Sequence, residues 1–332
     1  LKAIWWIRRD LRLQDNLTLQ KALEAGSILP VFILDERLLS KAPDRKGNFL
    51  FNGLKSLDAD LRSRSSYLVY RRGRPIEVLR NLLTESGAQV IYAEEDFTPY
   101  ALQRDKSIAA QLPIEFVQGQ LIHHPQGILK SDGTPYTVFT PFSKTWKNLL
   151  PSELHPIPAP DIISTILGIQ SEPIPEYSQA PLFPASEAEA QDRLQSFLGE
   201  KIFTYGSDRN RLDLNGTSSL SPYTHFGMLG LRGAVYHANQ AIIASADKDH
   251  QKSAQTWLNE LIWREFFIQI LYHFPYVLNR NFRSQFDQIR WQNNLDDYAA
   301  WKEGKTGYPV VDAAMRQMSA TGWMHNRARM IV

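Results

Sequence analysis

The 332-residue chain has no cysteine. That excludes a disulfide framework, a thiolate metal site and a cysteine nucleophile. Its eight histidines form no HExxH pair or comparable cluster, so no metal-based chemistry is expected. His123 and His124 adjoin Pro125 in a loop-like stretch, where solvated or structural roles are expected of them. No uninterrupted apolar run is long enough to span a bilayer, and the opening LKAIWWIRRDLRLQDN turns charged too soon for a secretion signal. A cytoplasmic location without a membrane partner is expected, and nothing in the chain calls for an obligate dimer, so a monomer is expected. The junction IRRDLRLQDN after the first strand-like run contains no glycine. The GxGxxG turn is thus missing where a dinucleotide would need it, which disfavours a nicotinamide dehydrogenase.

Charge imbalance is slight as well, at +2 overall. It is uneven, however: residues 201–332 hold 15 Lys and Arg against 11 Asp and Glu. That excess is compatible with a phosphate-facing C-terminal part, although many surfaces carry as much for solubility. With 43% hydrophobic residues, the chain has enough apolar matter for two cores and too much for disorder.

The first half alternates β-branched or aromatic runs with helical patterns. AIWWI precedes NLTLQKALEAG, ILPVFILD precedes FLFNGLKSLDADLRS, YLVYRR precedes PIEVLRNLLTESG, and QVIYAEED precedes ALQRDKSIAAQL. Alternation of this kind predicts an α/β domain with a parallel sheet, over residues 1–130. If that domain holds a ligand, the usual place lies beyond the carboxyl ends of its strands. Residues 131–200 read as an interdomain linker, proline-rich and without periodicity from about Leu150 to Ser186. Residues 201–332 carry helical patterns and no convincing strand, which predicts an all-α domain. AEAQDRLQSFLG, just before it, is helical too.

The segment SAQTWLNELIWREFFIQILYHFP is apolar on most of its circumference, yet it carries Asn259, Glu260, Arg264 and Glu265. A helix of that kind belongs in a core, where charged groups need partners or a ligand. Glu260 and Arg264, four apart, share a face with Trp257 a turn earlier. One reading is a buried ion pair among core aromatics; the other is a site.

Four separated segments decide between them. WIRRDLRLQDN near the start, TSSLSPYTHFG at Thr217–Gly227, WLNELIWREFF at Trp257–Phe267 and GKTGYPVVDAAMRQMSATGWMHNRARMIV at the end each resemble signatures of the DNA photolyase/cryptochrome family, in family order. The resemblance runs over the whole chain. It implies a Rossmann-like antenna domain, a long linker and a helical domain that binds FAD. It also implies an activity: blue light excites the reduced flavin, an electron passes to a cyclobutane pyrimidine dimer in damaged DNA, the ring splits and the electron returns. The enzyme class that the resemblance implies is deoxyribodipyrimidine photo-lyase. A lesion must leave the duplex stack to be reached, and photolyases are among the enzymes that flip their target.

The resemblance also assigns residues. Thr217, Ser218, Ser219, Leu220 and Ser221 match the hydroxyl-rich segment that holds the FAD phosphates; taken alone they would read as an ordinary N-cap. Tyr205 matches a tyrosine that contacts the cofactor, and Arg209 a basic residue assigned to DNA. Glu260 matches the glutamate that hydrogen-bonds the dimer bases, and Trp263 the tryptophan that lies against the flipped dimer. Trp257, Asn259 and Arg264 match positions around flavin and lesion. Asn326 matches the residue between flavin and lesion, Arg327 a DNA contact, Arg329 a flavin neighbour and Met330 a lesion-pocket residue. Arg327 and Arg329, two apart, cannot both point the same way, so at least one of them is expected to face inward. Trp291 matches the surface end of the tryptophan chain that photoreduces the flavin.

MHNRARM holds a single histidine, His325, whereas (6-4) photolyases carry a histidine-rich version and DASH-type members have glutamine at Met330. Both differences point to the cyclobutane dimer class, most like class I. The family pattern continues past Val332 through a segment that contacts the flavin ring, so the chain reads as C-terminally truncated within a helix. The residue opposite flavin N5, the inner tryptophans and the acidic partner of Arg329 would lie beyond it, which leaves Arg329 an uncompensated inward charge. A second antenna chromophore is open between a deazaflavin, methenyltetrahydrofolate and none. The Asn-Glu pair of folate-binding members does not occur in YAEEDFTPYALQRD, and no antenna residues are assigned. The alternative functions are a cryptochrome, a photoreceptor that binds FAD without repair, and a plain DNA-binding module. Glu260, Trp263, Asn326 and Met330 together favour repair.

Overall fold

The computed structural model describes residues 1–39, 44–177 and 182–332. Residues 178–181 of the proline-rich stretch lie outside the described residues. The chain begins with β1 (Lys2–Ile7), α1 (Leu17–Ala25), β2 (Ser27–Leu34), α2 (Glu36–Leu39), α3 (Asp44–Arg62), β3 (Val69–Arg72), α4 (Pro75–Ser86), β4 (Val90–Glu94), α5 (Pro99–Ala109) and β5 (Ile114–Val117). The five strands form one parallel sheet in the order β3-β2-β1-β4-β5. Both faces of β1 are buried: Ala3, Trp5 and Ile7 enter one core while Ile4 and Trp6 enter another. This is why AIWWI reads as a continuous apolar run rather than an alternating one.

The local signals are those that helices need. Asn16 caps α1 by accepting from the Leu19 amide at 2.9 Å, and α4 opens on Pro75 and closes on Gly87 in the left-handed region. The edge strand β5 was not anticipated, because IEFV is four residues long and turns Glu115 to solvent.

Helix α6 (Phe139–Asn148) follows, and then an irregular stretch that folds back on the sheet. The Ile28 amide donates to Ser164 O at 2.8 Å and the Ile166 amide to Ile28 O at 2.9 Å, with Ile163 and Ile166 buried. From α7 (Glu187–Ser196) onward no strand occurs among the described residues. A π-helical turn at Phe197–Lys201 leads into α8 (Ile202–Asp208), followed by α9 (Ser221–Phe226), α10 (Leu231–Ala244), α11 (Lys248–His273), α12 (Leu295–Glu303), α13 (Pro309–Thr321) and α14 (Asn326–Ile331). Helices α8, α10 and α6 pack around α11. No helix among the described residues is long and apolar enough to cross a membrane.

The loop after β1 joins the two halves. The Leu11 amide donates to Phe226 O at 3.3 Å and Arg12 Nη1 to Gly227 O at 3.1 Å. Asp15 accepts from the Gly233 amide at 3.0 Å and pairs with Arg232 at 3.3 Å. The Glu187 carboxylate accepts from the Leu13 and Gln14 amides at 2.7 and 2.8 Å. The order of the sheet reverses between β1 and β4, the usual ligand position of an open α/β sheet. Here the loop leaving that point is engaged by the helical half.

Candidate functional site

Helix α11 starts where Asp247 accepts the Asp249 and His250 amides, and it runs through the middle of the helical half. Each polar residue singled out on it meets a different segment. Asn259 Oδ1 accepts from Lys147 Nζ on α6 at 2.7 Å. Glu260 forms an ion pair with Arg209. Arg264 donates to the carbonyls of Gln120 and Thr224 at 3.2 and 3.5 Å. Glu265, fully buried, accepts from the Ile122 amide and from Trp146 Nε1. Burial pushes the Glu265 carboxyl up to about 7, against the opposing pull of those two donors.

The ion pair Glu260–Arg264, one reading of the sequence, therefore does not form. Helical spacing puts the two on one face, but Arg264 turns to carbonyls at the junction of the two halves while α8 brings a second arginine to Glu260.

Tyr205 and Arg209 lie one turn apart at the end of α8, so they share a face. The Arg209 guanidinium sits over the Tyr205 ring, 5.7 Å from its centroid, while donating to Glu260. The Tyr205 phenol is pushed up to about 12, first by burial and then by the nearby Glu260. From α14, Arg327 donates Nε to Asn210 Oδ1 at 2.9 Å and Nη1 to Met330 Sδ at 3.4 Å. Tyr205, Arg209, Glu260 and Arg327 thus form one cluster drawn from three helices.

The segment Thr217–Ser221 follows α8 and ends on the first residue of α9. Thr217, Ser218 and Ser219 are half-buried residues, and their hydroxyls have no hydrogen-bond partner among the described residues. Ser219 holds a left-handed φ of 51°, a conformation that costs a residue with a side chain about 1–2 kcal/mol. Helix α9 begins at Ser221 with no side-chain cap, so the ordinary N-cap reading of these hydroxyls fails. Leu220 is buried in the core, which leaves only its backbone to face a ligand.

Trp257 is buried against Phe197 at a centroid distance of 5.0 Å, and Phe197 in turn meets Tyr205 at 5.7 Å. Trp263 is stacked on Phe139 at 3.6 Å and 5°, so one face of the ring expected to meet the lesion is covered by α6. Trp291 is 74% exposed. Asn326 is exposed on the first turn of α14, whose cap is the His325 ring, and Met330 is 70% exposed. Arg329 is exposed too, where an uncompensated inward charge was expected. Of the two arginines, Arg327 is the one turned toward the cluster, because it has Asn210 and Met330 to hold it.

Three contributors were not anticipated: Phe139 and Lys147 on α6, and Asn210 after α8. A signal existed for α6, since Phe139, Phe142 and Trp146 lie at helical spacing with the last two buried. None existed for Asn210.

Two family models match parts of the chain. Residues 3–161 match the family model "DNA photolyase" and residues 257–332 the model "FAD binding domain of DNA photolyase". The chain is 35% identical to the deoxyribodipyrimidine photo-lyase of a Synechococcus species, over 99% of this chain and 72% of that protein. Against the protein of the same name from Thermus thermophilus it is also 35% identical, over 98% of this chain and 73% of the other. Among solved structures, a bacterial class III photolyase from Agrobacterium tumefaciens superposes with a TM-score of 0.89 at 30% identity, covering 99% of this chain and 71% of that one.

Proposed function

Because the chain belongs to the DNA photolyase family, with an N-terminal parallel α/β domain and a helical FAD-binding domain, we propose that it repairs cyclobutane pyrimidine dimers in DNA under blue light. The observation that carries this reading is the cluster of Tyr205, Arg209, Glu260 and Arg327, beside a segment of unpartnered hydroxyls.

The hydroxyls of Thr217, Ser218 and Ser219 suit the phosphates of FAD, since hydrogen bonds to an ionised acceptor are stronger than those between neutral groups. Tyr205, Trp257, Arg264 and Arg329 complete the cofactor assignment. FAD bound there would supply light-driven one-electron chemistry for opening the cyclobutane ring, with no net change in its own oxidation state. The protein's part is to bind, orient and exclude water. Glu260 meets the dimer bases; Trp263, packed among Phe139, Phe266 and Phe267, lies against the dimer; Asn326 and Met330 border the lesion; Arg327 holds the DNA; and Trp291 serves electron transfer from the surface. Residues 1–130, 131–200 and 201–332 serve as antenna-type domain, connector and catalytic domain, with α6 and α7 both in the connector. The single His325 and Met330 favour the cyclobutane dimer, most like class I.

Binding in the dark tests the reading. An already weakened pair costs less to flip, so a dimer-containing strand should bind at least about tenfold more tightly than its undamaged counterpart, a difference of about 1.4 kcal/mol. Equal affinities would favour a photoreceptor without repair or a plain DNA-binding module.

A further inference from the structure

We propose that Arg209 serves the lesion through Glu260, as its positioning counter-ion, and leaves the DNA phosphates to Arg327. This rests on the photolyase reading above and divides two arginines that the family resemblance treats alike.

The two side chains are held differently. Arg209 is enclosed, its guanidinium over the Tyr205 ring and bonded to the Glu260 carboxylate, with side chains of Arg209 and Glu260 only 20% and 29% exposed. Turning that guanidinium out to a phosphate would strip a largely buried carboxylate of its partner, and an unpaired buried charge is strongly disfavoured. Arg327 has no carboxylate partner among the described residues. It is held by Asn210, a neutral group, at 2.9 Å and by a thioether. A phosphate can replace those partners without leaving a charge behind.

The chemistry gives the pairing a purpose. For as long as the dimer carries the extra electron, a bare carboxylate against it would repel that charge, whereas the Arg209–Glu260 pair is neutral as a unit and presents a cation within reach. The electron comes from the reduced flavin and returns to it. Neither side chain is oxidised or reduced, and no proton moves between them. Arg209 also fixes the carboxylate at the end of α8, so that Glu260 is set before the lesion arrives.

Two readouts on the flavin-loaded protein separate this role from a phosphate contact: the salt dependence of dimer-DNA binding in the dark, and dimers split per absorbed photon at saturating DNA. Losing one phosphate contact lowers the slope of log affinity against log salt by about 1. Arg327→Gln should show that loss. Arg209→Gln should keep the parent's slope and lose repair yield several-fold, and Arg209→Lys should recover most of the yield. In a Glu260→Gln background, Arg209→Gln should lower the yield by no more than about twofold further, because residues acting as one unit are not additive.

A slope reduced by about 1 in Arg209→Gln, with unchanged yield from the bound complex, would make Arg209 a phosphate contact and overturn the proposal. So would losses that multiply in the double variant. Should Arg209→Gln fail to retain flavin, Arg209→Met, which keeps an apolar stem against Tyr205 but carries no charge, decides by the same slope and yield. If the parent discriminates no dimer and splits none, the photolyase reading itself falls, and that result is distinct from either of the others.

Discussion

Alanine at Gly227 should separate the two halves of the molecule. Gly227 has φ +71°, and a Cβ there would lie 1.6 Å from Arg9 O and 2.8 Å from the Asp10 Cα. Both neighbours are backbone in the loop after β1, so no side chain can rotate away. The left-handed conformation alone costs alanine about 1–2 kcal/mol. Relieving the clash means parting that loop from the turn after α9, which gives up the bond from the Leu11 amide to Phe226 O and that from Arg12 to Gly227 O. Such bonds contribute about 0.5–1.5 kcal/mol when neutral and about 1.5–3 when one partner is charged. The sum is roughly 3–6 kcal/mol, a large part of the 5–15 or so that hold a typical domain. Gly133 is the matched control: its φ is +77°, and a Cβ would meet nothing within 4 Å. Urea unfolding of the two alanine variants should show a loss of about 1–2 kcal/mol at Gly133 and a loss several times larger at Gly227. Equal losses would refute the docking role of this turn.

Stability should also depend on pH in a stated direction. Burial holds the Glu94 and Glu265 carboxyls up at about 7 in the fold against an ordinary value of 4.5, so the folded state keeps protons that the unfolded chain releases. The resulting stabilisation is complete below about pH 4.5 and is lost as pH rises through 7, and Glu265→Gln should flatten the fall in unfolding free energy over that window; an unchanged slope would contradict it. At the hydroxyl segment, Thr217→Val with Ser218→Ala removes no internal hydrogen bond, so unfolding free energy without flavin should stay within about 0.5 kcal/mol of the parent. FAD affinity should fall about tenfold or more, as hydrogen bonds to a charged group each contribute about 1.5–3 kcal/mol. Calorimetric titration checks this, and undiminished affinity would remove the segment from the cofactor site.

How much of this was legible beforehand follows from the range over which each signal acts. Strands β1 to β4 and the helices that follow them are written in local periodicity and caps, as Asn16, Pro75 and Gly87 show. Strand β5 carries too few residues to hold a pattern. Helix α6 was hidden because FTPFSKTWKN opens among turn-forming residues, although its aromatic spacing was available. In α11 the sequence identified which side chains needed partners, and each of them has one. It could not say which partners, because a period of 3.6 residues orders one helix and is silent on what packs opposite. That is why Arg264 was matched with Glu260 when Arg209 holds it, and why Arg329 was turned inward when Arg327 is the residue held at the cluster. The family resemblance supplied roles that neither periodicity nor composition contains.

The most direct test of the account is dimer splitting by the flavin-loaded protein and its Glu260→Ala variant, using a thymine-dimer oligonucleotide under blue light with a dark control. The account predicts light-dependent loss of the dimer by the parent, none in the dark, and a lower yield from the variant at equal bound DNA. Bound, photoreducible flavin with no dimer loss in the light would contradict it and leave a photoreceptor on the same scaffold.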